Sequence, residues 1–272
     1  MILALGIILF ALMSLIGSER GVKSFVALFL NILITMISIY LLIQGVNTIF
    51  VMLASTVLFS LVTLFYINEY NLKTVGALFS VILVVVLLSL LITFISYHGH
   101  IAGYNEIDIY EEISMYLSVD LHINTYQLLI LTTIWGLLGA ILDTSISVAS
   151  AIHEIAVIRP DASRKDLFRS GMAIGKDILG TTANTLVFVA LGESLMLALY
   201  YYKAQYAIET LINAKSFLQE IAAVFTACIG CTLIIPITAA MISYFLKSPR
   251  IGAYFYRKNT LPNTEQTLRK ES

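Results

Sequence analysis

Charge is what this chain has least of. Only 12% of its 272 residues are Asp, Glu, Lys or Arg, against ~25% in a soluble globular domain, while 59% are hydrophobic. That scarcity excludes an ordinary soluble enzyme, a nucleic-acid-binding surface and a disordered scaffold. Cysteine is scarce as well: two residues exclude a disulfide framework. No G-x-x-x-x-G-K-[ST] loop occurs, so no nucleotide is expected and ATP coupling would need another chain. No cofactor is implied either. The net charge of −1 identifies no partner. The placement of the few charges carries the information.

What the chain does have is long apolar runs. A membrane-crossing helix needs about 20 mostly apolar residues. Seven segments qualify: Met1–Gly17, Phe25–Ile43, Val46–Ile67, Thr74–Ser96, Tyr126–Ala149, Met172–Tyr201 and Phe217–Leu246. The first has no basic leader, and Ser18-Glu19-Arg20 follows it in place of a small-residue cleavage site, so it reads as an uncleaved helix. Basic loops resist translocation and so mark the inner side. With the N-terminus outside, Arg20, Lys23, Lys73, Arg159, Arg164, Lys165, Arg169 and all the basic residues from Lys247 onward fall inside. Only Lys203 and Lys215 fall outside, and Lys176 lies within the sixth span. The expected fold is an all-α polytopic membrane protein with N-terminus out and C-terminus in. Residues 1–246 form the helical domain, and 247–272 form a basic inner tail whose cations can touch anionic lipid headgroups.

Two loops stand out. The outer connection 97–124 carries Glu106, Asp108, Glu111, Glu112 and Asp120 with no Lys or Arg. Ile107, Tyr110, Ile113 and Leu117 recur there at helical spacing, which suggests a short surface helix. His98, His100 and His122 lie beside these acids, but His98-Gly99-His100 matches no metal-ligand spacing, so a solvated acidic face is expected and no metal. The inner loop 150–171 contains Pro160 and a charged stretch, read as a short surface helix stopped at Gly171.

The first four spans hold no ionisable residue within their apolar runs; the fifth and sixth do. In the fifth, positions 136, 140, 143, 147, 150 and 154 share one helical face, reading Gly, Ala, Asp, Ser, Ser, Glu. In the sixth, Asp177, Gly180, Thr181 and Asn184 share a face. Both spans place an acid ahead of oxygen-bearing side chains at +4 and +7: Asp143, Ser147 and Ser150 match Asp177, Thr181 and Asn184. An Asp at the centre of a membrane helix costs roughly 2.5–3.5 kcal/mol, so it normally faces protein or water. Gly139, Gly171, Gly175 and Gly180 are positioned to let helices approach closely. The expected site is therefore a polar seam between the fifth and sixth spans, with Asp143 and Asp177 turned towards each other. The bland alternative is that these groups only cross-link helices. In the seventh span, Pro236 frees the Thr232 carbonyl, and Cys228-Ile-Gly-Cys231 reads as a pair of small hydrophobes.

The stretch Gly139-Ala-Ile-Leu-Asp143-Thr-Ser-Ile-Ser147-Val-Ala-Ser150-Ala-Ile-His-Glu154 resembles the first signature block of the YibE/F family. Ser170-Gly171-Met-Ala-Ile-Gly175-Lys-Asp177-Ile-Leu-Gly180-Thr181-Thr-Ala-Asn184-Thr185-Leu resembles the second. The chain departs from that pattern at Ala173, where the family would place Asn, and at Lys176, where it would place Arg. The resemblance implies a bacterial cytoplasmic membrane, multi-pass topology and a shorter member that joins a longer YibE-like relative in a hetero-oligomer. It does not imply a substrate. Transport of an ion or small solute, with the two acids as coupling sites, is the expected function. A non-transporting assembly subunit is the alternative. The Gly-x-Gly-Asp and Tyr-Asp contexts of intramembrane aspartyl proteases are missing, so no enzyme is expected.

Overall fold

The computed structural model describes residues 1–103, 105, 124–203, 205 and 207–248. The expected outer surface helix, His122 and most of the basic tail lie outside the described residues. Those described are helical, with no strand among them. In chain order they form α1 (Ile2–Ile43), α2 (Thr48–Leu61) continued by a π-helical turn (Val62–Tyr66), α3 (Leu72–Gly99), α4 (Thr125–Ile158), α5 (Arg164–Lys203), the single turn α6 (Ile208–Ile212) and α7 (Lys215–Leu246).

Local chemistry starts several of these helices where they start. The Asn47 side chain accepts from the Ile49 and Phe50 amides at the head of α2. Asn71 and Thr74 bond each other's backbone N–H in a capping box at the head of α3, and Asn124 caps α4. At α5, Ser163 and Asp166 form the same reciprocal pair, and the Ser163 hydroxyl also donates to the Asp166 carboxylate at 2.6 Å. Those bonds favour the ionised form and hold the Asp166 carboxyl below its usual range. Between α1 and α2, Gly45 takes φ +77° while the Val46 amide reaches back to the Leu41 carbonyl. That closure needs a left-handed residue, which is where glycine fits.

Five described helices are long and apolar enough to cross a membrane: Leu3–Ile43, Thr48–Tyr66, Leu72–Gly99, Thr125–Ile158 and Lys215–Leu246. Two features separate that number from the seven spans read in the sequence. The first is α1, which is not one rod. Ser18 is non-helical (φ 48°, ψ −133°), the Phe10 and Phe25 rings meet at 5.0 Å between centroids, and a Cβ on Gly21 would strike the Met13 carbonyl. In a straight helix residues fifteen apart are about 22 Å apart, so the chain folds back at Ser18 into two arms. The second is α5, in which several side chains between 193 and 200 lie outside the described residues, so it does not enter that count. It also runs unbroken from Arg164, so the short helix expected to stop at Gly171 is instead the first two turns of α5. The Ser163 cap starts the helix upstream, and Gly171 is held by packing rather than serving as a terminus.

The core lies where α3, α4 and α7 meet. Leu88, Ile141 and Ile234 are fully buried there, and a Cβ on Gly230 would crowd both Leu88 and Ile141. Lipid tails are as apolar as these side chains, so close packing and hydrogen bonds must hold the bundle together. Buried hydroxyls supply the bonds. Ser145 of α4 pairs with Thr238 of α7 at 3.1 Å and lies 3.4 Å from the Ala77 carbonyl of α3. The Trp135 indole donates to Ser55 of α2 at 3.0 Å.

Loops assigned to one side by their charges gather at one end of the bundle. At the end that the charges assign to the inside, Lys23 lies 3.7 Å from Glu69. Lys247 donates to the Pro160 carbonyl, and Arg164 sits over the Tyr244 ring. At the other end Gln219 donates to the carbonyls of Ile101 and Gly103, and Tyr201 bonds Ser216. The fold-back of α1 is testable. With both native cysteines replaced by Ala, Phe10→Cys and Phe25→Cys together should form an intramolecular disulfide in membranes. A single 42-residue helix would leave the two thiols unreacted.

Candidate functional site

The two glycines of Gly171-x-x-x-Gly175 decide how α5 sits. Both are buried. A Cβ on Gly175 would run into Ile235 of α7, and one on Gly171 would meet Ile152 of α4 and Ala239 of α7. Ile235 and Ala239 bracket Pro236, through which α7 continues without interruption. Close packing at Gly171 and Gly175 is therefore present, but most of it is against α7 rather than against α4. Gly139 and Gly180 differ: nothing lies within 4 Å of a Cβ built on either, so neither brings two helices of this chain together.

Rotation then places the polar residues. Asp177 follows Gly175 by two residues, about 200° around the helix, on the opposite side from α7. Asp177, Thr181 and Asn184 are all exposed. The Thr181 hydroxyl turns back to the Ile178 carbonyl of its own helix. On α4 the inward face is occupied by Ile141, Ser145, Val148 and Ile152, each completely buried. Asp143 is exposed on the other face, with Ser147 and Ser150 half-buried beside it. Among the described residues neither Asp143 nor Asp177 makes a hydrogen bond or ion pair, and Lys176 makes no ion pair.

The antiparallel register brings the two acids to nearby depths. Ile152 of α4 lies against Gly171 of α5. From that level Asp143 is about 13 Å along α4 and Asp177 about 9 Å along α5, a difference of less than one helical turn. The structure thus matches their depth while directing both away from the bundle interior, rather than facing them across a closed seam.

Sequence reading passed over a cleft of about 380 Å³ between the first halves of α4 and α7 and the second half of α5. Its polar lining comprises Thr132, Thr133, Gln219 and Glu220, with Gly136 and Ala223 among the small residues that make room. Glu220 left a visible signal: an acid inside the first turns of the seventh span. Gly136 and Asp143 lie on one face of α4 two turns apart, so the cleft opens above Asp143 along that face. His98 stacks on Phe94 of its own helix, and Cys228 and Cys231 are free thiols in α7.

The family model described as YibE/F-like protein matches residues 5–248, and the chain belongs to that family. No curated protein and no solved structure matches it.

The contrast among the glycines makes a direct stability test. Gly175→Leu should lower the stability of the detergent-solubilised protein by about 2 kcal/mol through overpacking against Ile235. Gly139→Ala should be neutral or slightly stabilising, because its Cβ enters open space and Ala favours the helix. Thermal unfolding followed by circular dichroism reads both. Equal losses would contradict the assigned packing.

Proposed function

We propose that this YibE/F-like protein is a seven-pass membrane transporter, or transporter subunit, for a cation or small solute, coupled at Asp143. The two arms of α1 and the polar helix α5 would complete the seven spans, with N-terminus out and C-terminus in, in a bacterial cytoplasmic membrane. The cleft above Asp143 is the observation that carries this reading. A water-filled cleft at membrane depth offers an acid the hydration that lipid denies, and intramembrane acids in such positions mark ion or proton paths. Glu220 would attract a cation at the outer mouth, and the Thr132 and Thr133 hydroxyls would stand in for part of its water shell. Asp143 would receive the ion or proton two turns deeper, with Ser147 and Ser150 as neutral oxygen partners on the inward path.

A second reading is favoured by a different observation. Asp177 and Asn184 face outward, as an assembly subunit that docks another chain would require. The two readings separate in reconstituted vesicles. Protein in proteoliposomes is given an inward proton or sodium gradient, read by entrapped pyranine or by ²²Na⁺. Asp143→Asn should abolish gradient-driven uptake and Glu220→Gln should reduce it. Flux unchanged in Asp143→Asn removes the coupling role, and absence of flux from the wild type favours the assembly reading.

A further inference from the structure

Along the outward face of α5, Ala173, Asp177, Gly180, Asn184, Val187 and Leu191 are all exposed. Their spacing of four, three, four, three and four is that of a seam between two helices wound left-handed about each other. Nothing among the described residues covers them, and a Cβ at Gly180 would meet open space. At membrane depth an uncovered Asp and Asn face a solvent that cannot hydrogen-bond them. We propose that this seam binds the same seam of a second copy, forming a parallel twofold dimer through α5.

Charge and hydrogen-bond complementarity select a second copy over another occupant. Two copies inserted with the same topology are related by an axis along the membrane normal, so identical residues meet at identical depth. Lys176 and Asp177 are adjacent in sequence and therefore share one depth, about 100° apart around the helix. A twofold contact sets each Asp177 beside the partner's Lys176, giving two reciprocal ion pairs and no net buried charge. One turn along, Gly180 lets the backbones approach closely. Asn184 then meets Asn184 of the partner subunit, and an amide can both donate to and accept from its own kind. A lone acid without Lys176 beside it would repel its copy. The adjacent pair makes the surface complementary to itself.

The test uses the full chain in native membranes, with Cys228 and Cys231 replaced by Ala and two epitope tags to distinguish copies. Gly180→Cys and Asn184→Cys should each give a disulfide between differently tagged copies on mild oxidation. Phe94→Cys, on an exposed face of α3, should not. Lys176→Asp and Asp177→Lys should each weaken the homotypic cross-link at position 184 by about tenfold. Mixing those two charge variants should restore it to within about twofold of the unmodified pair, because every Asp then faces a Lys. Cross-linking at Phe94→Cys equal to that at the seam would overturn the proposal. So would capture of a different protein at positions 180 and 184, or mixed charge variants that fail to recover while Asn184→Cys alone remains folded by size-exclusion chromatography.

Discussion

The position of Gly175 against Ile235 governs the architecture of the polar surface. A side chain at that position would collide with α7, so α5 has one rotational setting in which it can approach so closely. Once that setting is fixed, the helical repeat fixes everything else on α5. Gly171 turns to Ile152 and Ala239, and Asp177 turns to the opposite side. On α4 the same discipline comes from Ser145, whose hydroxyl is engaged with Thr238 and has the Ala77 carbonyl nearby. Rotating α4 to bury Asp143 would pull that hydroxyl out of its pairing and leave a buried polar group unsatisfied.

The outcome is a bundle whose interior polarity is neutral. Ser55, Ser80, Ser145 and Thr238 are buried, and each can satisfy itself with a single bond to a neighbour or to a backbone carbonyl. Asp143 of α4 and Lys176 and Asp177 of α5 lie outside that interior. This arrangement is physically sensible, since a hydroxyl in a packed core costs far less than a carboxylate. It also creates a demand. An outward Asp in hydrocarbon costs roughly 2.5–3.5 kcal/mol, which water or protein must offset. The cleft above Asp143 offers the first remedy, and the self-complementary face around Asp177 offers the second.

Much of this was legible in the sequence, though not all for the same reason. Apolar runs located the long helices, because twenty apolar residues have few other uses. The turn at Ser18 was legible from charge, since Glu19 and Arg20 interrupt two apolar arms that then fold on each other. The spacing of Asp143, Ser147 and Ser150 defines one helical face, because helical periodicity is a property of the chain alone. What periodicity cannot supply is the neighbour that a face meets. Gly171 and Gly175 signalled close approach, but any helix offering a branched side chain could answer, and the answer came from Ile235 rather than from α4. Gly171 also resembled a helix stop. The cap at Ser163 and the packing at Ala239 overrode that local signal. The cleft was illegible because it arises from the divergence of three helices, and only Glu220 hinted at it.

The central claim is that the polar faces of α4 and α5 point out of the bundle into two different environments. Nitroxide spin labels at Asp143→Cys and Asp177→Cys, in protein reconstituted in bilayers, read those environments directly through collision with oxygen or with a water-soluble nickel chelate. The label at position 143 should collide with the nickel chelate, as a residue below a hydrated cleft must. The label at position 177 should be shielded from both reagents, as a residue covered by protein must. Strong oxygen collision with little nickel collision at both positions would place both side chains in lipid and contradict the account.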